Sequence, residues 1–209
     1  MTDFSKLSLD GFLAALSSDA PTPGGGTAAA TAGAMGASLA EMVSALTLSK
    51  EKYAASHEAV RPIAEAAQLV RSELMNLARE DSEAYDDVVA ARRLPKDTEE
   101  QKTARAHRIA AANRRAAEVP MLTARAAVRL MGALPELAEK GNPNAASDVG
   151  AAALLLDACV EGALLNVGIN LSGIEDAGFV SEMQHETAVL QEESQRLRSQ
   201  VVALVRKRF

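Results

Sequence analysis

Ile63-AEAAQLVRSELMNLAREDSEAYDD-Val88 reads as one long amphipathic helix. Ile63, Ala67, Val70, Leu74, Leu77, Asp81, Ala84 and Val88 recur in alternating steps of four and three. That spacing puts all eight on one helical face, the kind of stripe by which bundle helices pack. One member breaks the stripe's chemistry: Asp81 is a carboxylate where an apolar side chain is called for. A buried carboxylate has a raised pKa unless a cation pairs with it. Raised toward neutrality, it can act as a general acid or base. A structural ion pair, or a stripe that drifts to the surface, would explain the same residue without function.

The rest of the chain fits a helical frame around this element. Apolar residues make up 48% but aromatics only 3%, and alanine carries much of the apolar count. That favours closely packed helices over strands. Ser8 to Ser17 reads as a short helix. Pro21 to Gly26 is a loop, and a helix follows from Thr27, its N-cap, to about Leu48. Small residues Ala29, Ala32, Gly33, Gly36, Ala37 and Ala40 line this helix, so it is a buried central helix or a dimer seam. Thr98 and Gln101 form a capping-box pair for the next helix, which Pro120 kinks or ends before a further segment to Met131. Pro135 and Gly141 mark a turn region. Helices from about Ala145 to Leu171 and Asp176 to Arg206 complete the chain. The expectation is an all-α fold, an antiparallel bundle of long helices, with residues 1–209 as a single domain.

Several classes are set aside. The formal charge is −6 and no basic patch with interleaved aromatics occurs, which argues against nucleic-acid binding. The Ala28–Leu46 run is rich in Ala and Gly and contains Glu41, unlike a strongly apolar membrane span. No signal peptide is expected at the N-terminus. A lone Cys159 cannot form an internal disulfide, which fits a reducing, cytoplasmic compartment. His57, His107 and His185 lack metal-ligand spacing, so no metal site is expected.

Three further stretches carry candidate chemistry. Pro21-Thr-Pro-Gly-Gly-Gly-Thr27 is neither a phosphate-binding loop nor a dinucleotide fingerprint. Its glycines allow backbone to approach a ligand or another helix closely. Gly141-Asn-Pro-Asn-Ala-Ala-Ser-Asp148 is dense in polar groups at a helix start. Asn142, Asn144 or Ser147 there is a cap, with Asp148 complementing the dipole, or else a ligand contact. Asn166 and Asn170 step along the same helix at four residues. Lys50, Lys52 and Lys96 are surface cations or anchors for an anionic substrate.

These motifs, in this order and with Leu46-Thr47-x-x-Lys50-x-Lys52-Tyr53, Asp81-x-x-Ala84-Tyr85 and Leu94-Pro95-Lys96, resemble the formiminotransferase-cyclodeaminase C-terminal family. The resemblance runs from about Leu9 to Leu204 and rests on the ordered set. It implies a helical subunit that forms a homodimer through helix faces, a folate cleft near the interface, and no metal or cofactor beyond the tetrahydrofolate substrate. It marks Asp81, Asp148 and Lys50 as catalytic candidates. Gly24, Gly25, Gly26, Asn142, Asn144, Ser147 and Lys96 become substrate-binding candidates. Where the family often has Asn, this chain has Ala45, so any ligand contact from that position is missing.

The leading activity implied is cyclodeamination of 5-formiminotetrahydrofolate to the 5,10-methenyl form with release of ammonia. The alternative is hydrolysis of the methenyl form to 10-formyltetrahydrofolate. A folate-binding helical dimer without catalysis is the non-enzymatic reading. In either reaction Asp81 or Asp148 would move the proton. Asp148, at a helix start, suits the ionised role and Asp81 the acid. Lys50 would orient a carboxylate or polarise the leaving group. The 209 residues show no formiminotransferase region, so a cyclodeaminase of this kind takes its substrate from a separate enzyme.

Overall fold

The structure, a computed structural model, describes residues 4–208. Among them there is no strand. Helix α1 (Leu9–Leu16) is capped by Ser8, whose hydroxyl accepts from the Gly11 N–H at 3.1 Å. Helices α2 (Gly25–Leu48), α3 (His57–Arg92), α4 (Glu99–Met131), α6 (Ala146–Leu171) and α7 (Ala177–Arg206) are long, and α5 (Leu134–Lys140) is short. The expected all-α architecture is therefore present.

Helix α2 lies between α3 and α6 and runs antiparallel to both. Its small residues make this possible. A Cβ on Gly33 would come within 2.6 Å of the Cys159 sulfur and 3.0 Å of Leu74 Cδ1. One on Gly36 would meet the Ala152 carbonyl at 2.9 Å. Helix α4 packs on α3 and α6, and α7 covers α6 and the end of α4. The core holds Leu74, Met121, Leu130, Met131, Leu134, Leu137 and Leu156, all fully buried. Each such side chain contributes about 1.5–3 kcal/mol relative to exposure. The α3 stripe faces this core from Ile63 to Ala84, and Asp81 and Val88 are its half-buried members.

Three local expectations are corrected. The N-cap of α2 is Gly24, in extended conformation, and not Thr27. The helix begins earlier, so Thr27 lies in its first turn with its hydroxyl released for other partners. Pro120 neither ends nor divides α4, which is continuous from Glu99 to Met131. Proline lacks the N–H that would bond the Ala116 carbonyl, and Asn170 Nδ2 on α6 supplies that donor at 2.6 Å. The turn region at Pro135 is itself helix α5, with proline at the helix start, where a missing N–H costs nothing. Elsewhere the signals match: Thr98 and Gln101 form the full capping box, and Asp176 caps α7 by accepting from the Phe179 N–H at 3.1 Å.

Candidate active site

The α3 stripe delivers Asp81 to the first turn of α2. There the Thr27 hydroxyl donates to Asp81 Oδ2 at 3.0 Å. Because the single Thr27 proton is used in this bond, the buried Ser82 hydroxyl is the donor in its 3.1 Å contact with Thr27 Oγ1. A Cβ on Gly26 would lie 2.6 Å from Asp81 Cγ, so this glycine makes room for the carboxylate. Burial pushes the Asp81 carboxyl above the ordinary aspartate range, and the side-chain and main-chain hydrogen bonds of Thr27 pull it partly back.

Asp81 faces a cleft of about 480 Å³, within the size range of small-molecule sites. Helix α3 also contributes Tyr85, Val88 and Arg92. The loop from Pro21 and the glycines Gly24, Gly25 and Gly26 form one rim. The opposite wall carries Asn113 and Ala116 of α4 with Asn166, Ile169 and Asn170 of α6. Three asparagines each donate through Nδ2 to a main-chain carbonyl: Asn113 to Gly173, Asn166 to Gly162 and Asn170 to Ala116. Their amide oxygens remain as acceptors in a wall that is otherwise largely apolar. A larger recess of about 740 Å³ lies between α3 and α4. Its charged groups are already paired, Glu73 with Arg129 and Glu80 with Arg115, so it offers less chemistry.

The other sequence candidates lie at the far end of the molecule. Asn142 is buried and locally engaged. Its Oδ1 accepts from the Tyr53 hydroxyl at 2.9 Å and from the Asn144 N–H at 3.1 Å, and its own N–H donates to Thr47 Oγ1 at 2.8 Å. Asn144 and Ser147 are exposed and Asp148 is half-buried in the first turn of α6. Lys50 is exposed just past α2, where its carbonyl and that of Thr47 meet His57 Nε2. Antiparallel packing of α2 on α6 places Asp148 beside the later turns of α2, roughly 20 Å along the axis from Gly26 and Asp81. Lys96 is exposed in the α3–α4 turn and does not line the cleft, whereas Arg92 does.

The glycines and Asp81 thus meet at one site within the chain, while Asn142, Asn144, Ser147, Asp148 and Lys50 gather at another. Sequence reasoning missed Thr27, Ser82, Tyr85, Arg92 and Asn113. Arg92 had a readable signal, since it stands eleven residues, three helical turns, beyond Asp81 on the same face. Thr27 had none, because its bond to Asp81 joins residues 54 apart.

A model of the formiminotransferase-cyclodeaminase family matches residues 8–189. The chain belongs to that family. This member of the formiminotransferase-cyclodeaminase family is 38% identical over 200 residues to a methenyltetrahydrofolate cyclohydrolase of Methylorubrum extorquens, covering 96% of both chains. It is 33% identical to the formimidoyltransferase-cyclodeaminase of Gallus gallus over 96% of its own length, and spans 37% of that longer protein. It superposes on the crystal structure of a formiminotetrahydrofolate cyclodeaminase from Thermotoga maritima with a TM-score of 0.87 at 33% identity, covering 97% of this chain and 98% of that one.

Proposed function

We propose that this protein is a cytoplasmic enzyme acting on the carbon that bridges N5 and N10 of tetrahydrofolate, and that its reaction is the hydrolysis of the 5,10-methenyl form to 10-formyltetrahydrofolate. The observation that carries the reading is the half-buried Asp81 carboxylate, held by Thr27 over the first turn of α2 at the wall of a ligand-sized cleft. The higher identity to a cyclohydrolase, 38% against 33% for the Thermotoga maritima cyclodeaminase at similar coverage, supports hydrolysis over the cyclodeamination favoured from sequence.

The chemistry fits that carboxylate. The methenyl substrate is a cation delocalised over N5, the carbon and N10, and an adjacent anion attracts it. Water adds to the carbon and its proton passes to ionised Asp81. The same carboxyl then protonates N5 as the carbon–N5 bond breaks. The added hydroxyl loses its proton to become the formyl oxygen on N10. One water is consumed and one proton released. The Ser82–Thr27–Asp81 chain holds the carboxylate in position through this exchange. The pterin edge is rich in N–H donors, which suits the amide oxygens of Asn113, Asn166 and Asn170. No cofactor enters this reaction.

Cyclodeamination is the second reading, favoured by the likeness to the Thermotoga maritima enzyme. There N10 attacks the formimino carbon and the proton goes to departing ammonia, so Asp81 begins protonated. A formiminotransferase activity would supply the substrate. The absorbance of methenyltetrahydrofolate separates the two. Accelerated loss in neutral buffer supports hydrolysis. Its appearance from 5-formiminotetrahydrofolate, without accelerated loss, supports deamination. Neither response would contradict both.

We also propose that the molecule works as a homodimer. Helix α2 and the Pro143–Leu171 segment are long and apolar enough to cross a membrane by length and composition, yet only half of each is buried in the subunit. Their outer faces expose Met35, Met42, Leu154, Leu165 and Ile169, with Leu165 and Ile169 at 75% and 71%. A contiguous apolar face of this kind marks an interface. Ile169 belongs both to that face and to the cleft wall, so a second copy docked there would complete the cleft. A two-fold axis that reverses the α2–α6 direction would set the Asp148 and Lys50 end of one copy against the Asp81 end of the other.

A further inference from the structure

We infer that Arg92 binds the glutamyl carboxylate of the substrate at the outer end of the Asp81 cleft. The inference rests on the reading of that cleft as a tetrahydrofolate site and assigns the tail a partner within it.

Asp81, Tyr85, Val88 and Arg92 line the cleft from one helix, at steps of four, three and four. They form a single row along α3. Its chemistry is ordered: a carboxylate, an aromatic ring, an aliphatic side chain, a guanidinium. Tetrahydrofolate presents its matching groups in the same order, namely the reactive one-carbon bridge, the benzoyl ring, the amide link and the carboxylates. From Asp81 to Arg92 the helix rises about 16 Å. A benzoyl-glutamyl arm covers that span once the reach of both side chains is subtracted.

The charge state of Arg92 supports the role. Its side chain has no carboxylate partner among the described residues. An acid three or four positions earlier would neutralise it within the helix, but Val89 and Val88 occupy those positions. Three other arginines of α3 and α4 are paired: Arg114 with Glu118 and Asp176, Arg115 with Glu80, Arg79 with Glu83. Arg105 donates through Nε and Nη2 to the Arg92 carbonyl, at 3.3 and 3.0 Å. That bond fixes the start of α4 to the end of α3 and adds a second positive charge beside the first. The planar guanidinium fork matches a carboxylate bidentately. Lys96, the cation expected for an anionic substrate in this region, lies one turn further on and outside the cleft lining.

The test is steady-state kinetics with two substrates. One is 5,10-methenyltetrahydrofolate. The other is the neutral carboxamide of 5,10-methenyltetrahydropteroic acid, which keeps the ring system and benzoyl group but lacks glutamate. Arg92→Gln should raise KM for the first about tenfold, the worth of one charge-assisted contact, with kcat within about twofold. KM for the carboxamide should be the same in native and variant proteins, and Arg92→Lys should recover part of the loss. An unchanged KM for the folate in Arg92→Gln overturns the assignment. So does an equal loss on both substrates, since the effect would then not involve the tail. If the native protein turns over neither these compounds nor 5-formiminotetrahydrofolate, the tetrahydrofolate reading itself fails and this proposal falls with it.

Discussion

The carboxyl of Asp81 is under opposing influences, burial favouring its neutral form and Thr27 favouring the ion. For hydrolysis the ion must be present, so kcat/KM falls as pH drops through the Asp81 pKa. Thr27→Val removes the hydroxyl that lowers that pKa and should move this acid limb to higher pH in the pH–rate profile. An unmoved limb would dissociate Asp81 from the rate. The same carboxyl affects stability in a definite direction. The folded chain holds the Asp81 proton to higher pH than the unfolded chain. Its contribution is therefore fully favourable below the unfolded pKa and is lost as pH rises through the folded one. Asp81→Asn, uncharged and of equal shape, should raise the melting temperature at pH 7, with the gain vanishing below about pH 4. Thermal melts across that range would show it. A variant that is more stable and less active is the expected signature of a functional group placed against the fold's preference.

At the level of elements, the helices themselves were legible because their apolar spacing is regular. The α3 stripe, the Thr98–Gln101 box and the Asp176 start of α7 all follow from short-range rules. What escaped depends on partners far away in sequence. Pro120 reads locally as a helix end, yet α4 continues because Asn170 reaches across from α6 to the orphaned Ala116 carbonyl. Asn170→Leu should cost about 1–3 kcal/mol by leaving that carbonyl unpaired, measured by denaturant unfolding. Adding Pro120→Ala restores an N–H for the same carbonyl and should recover much of the loss. The site was legible to a similar depth. An acid in an apolar stripe and a glycine loop announce themselves, and they meet at Gly26. Thr27 and Asn113 gain meaning only when α2, α4 and α6 close around α3, whereas Arg92 could be read from its step along α3.

On the scale of the whole molecule, the polar residues fall into two groups at opposite ends of the α2–α6 pair, with an exposed apolar face between them. If the homodimer joins those ends, a working site draws Asp81 from one copy and Asp148 from the other. Asp81→Asn and Asp148→Asn subunits, each inactive alone, should then regain activity when mixed and reassociated. A statistical mixture leaves one intact site in half the dimers, about a quarter of native turnover. No recovery would contradict a site shared between copies. The central claim, that the Asp81 carboxylate moves the proton at the methenyl carbon, is tested most directly by following the absorbance of 5,10-methenyltetrahydrofolate with native protein and with Asp81→Asn. The native protein should accelerate its loss, and Asp81→Asn should lower that rate by about 100-fold or more while remaining folded. A rate within about twofold of native for the folded variant would contradict the claim.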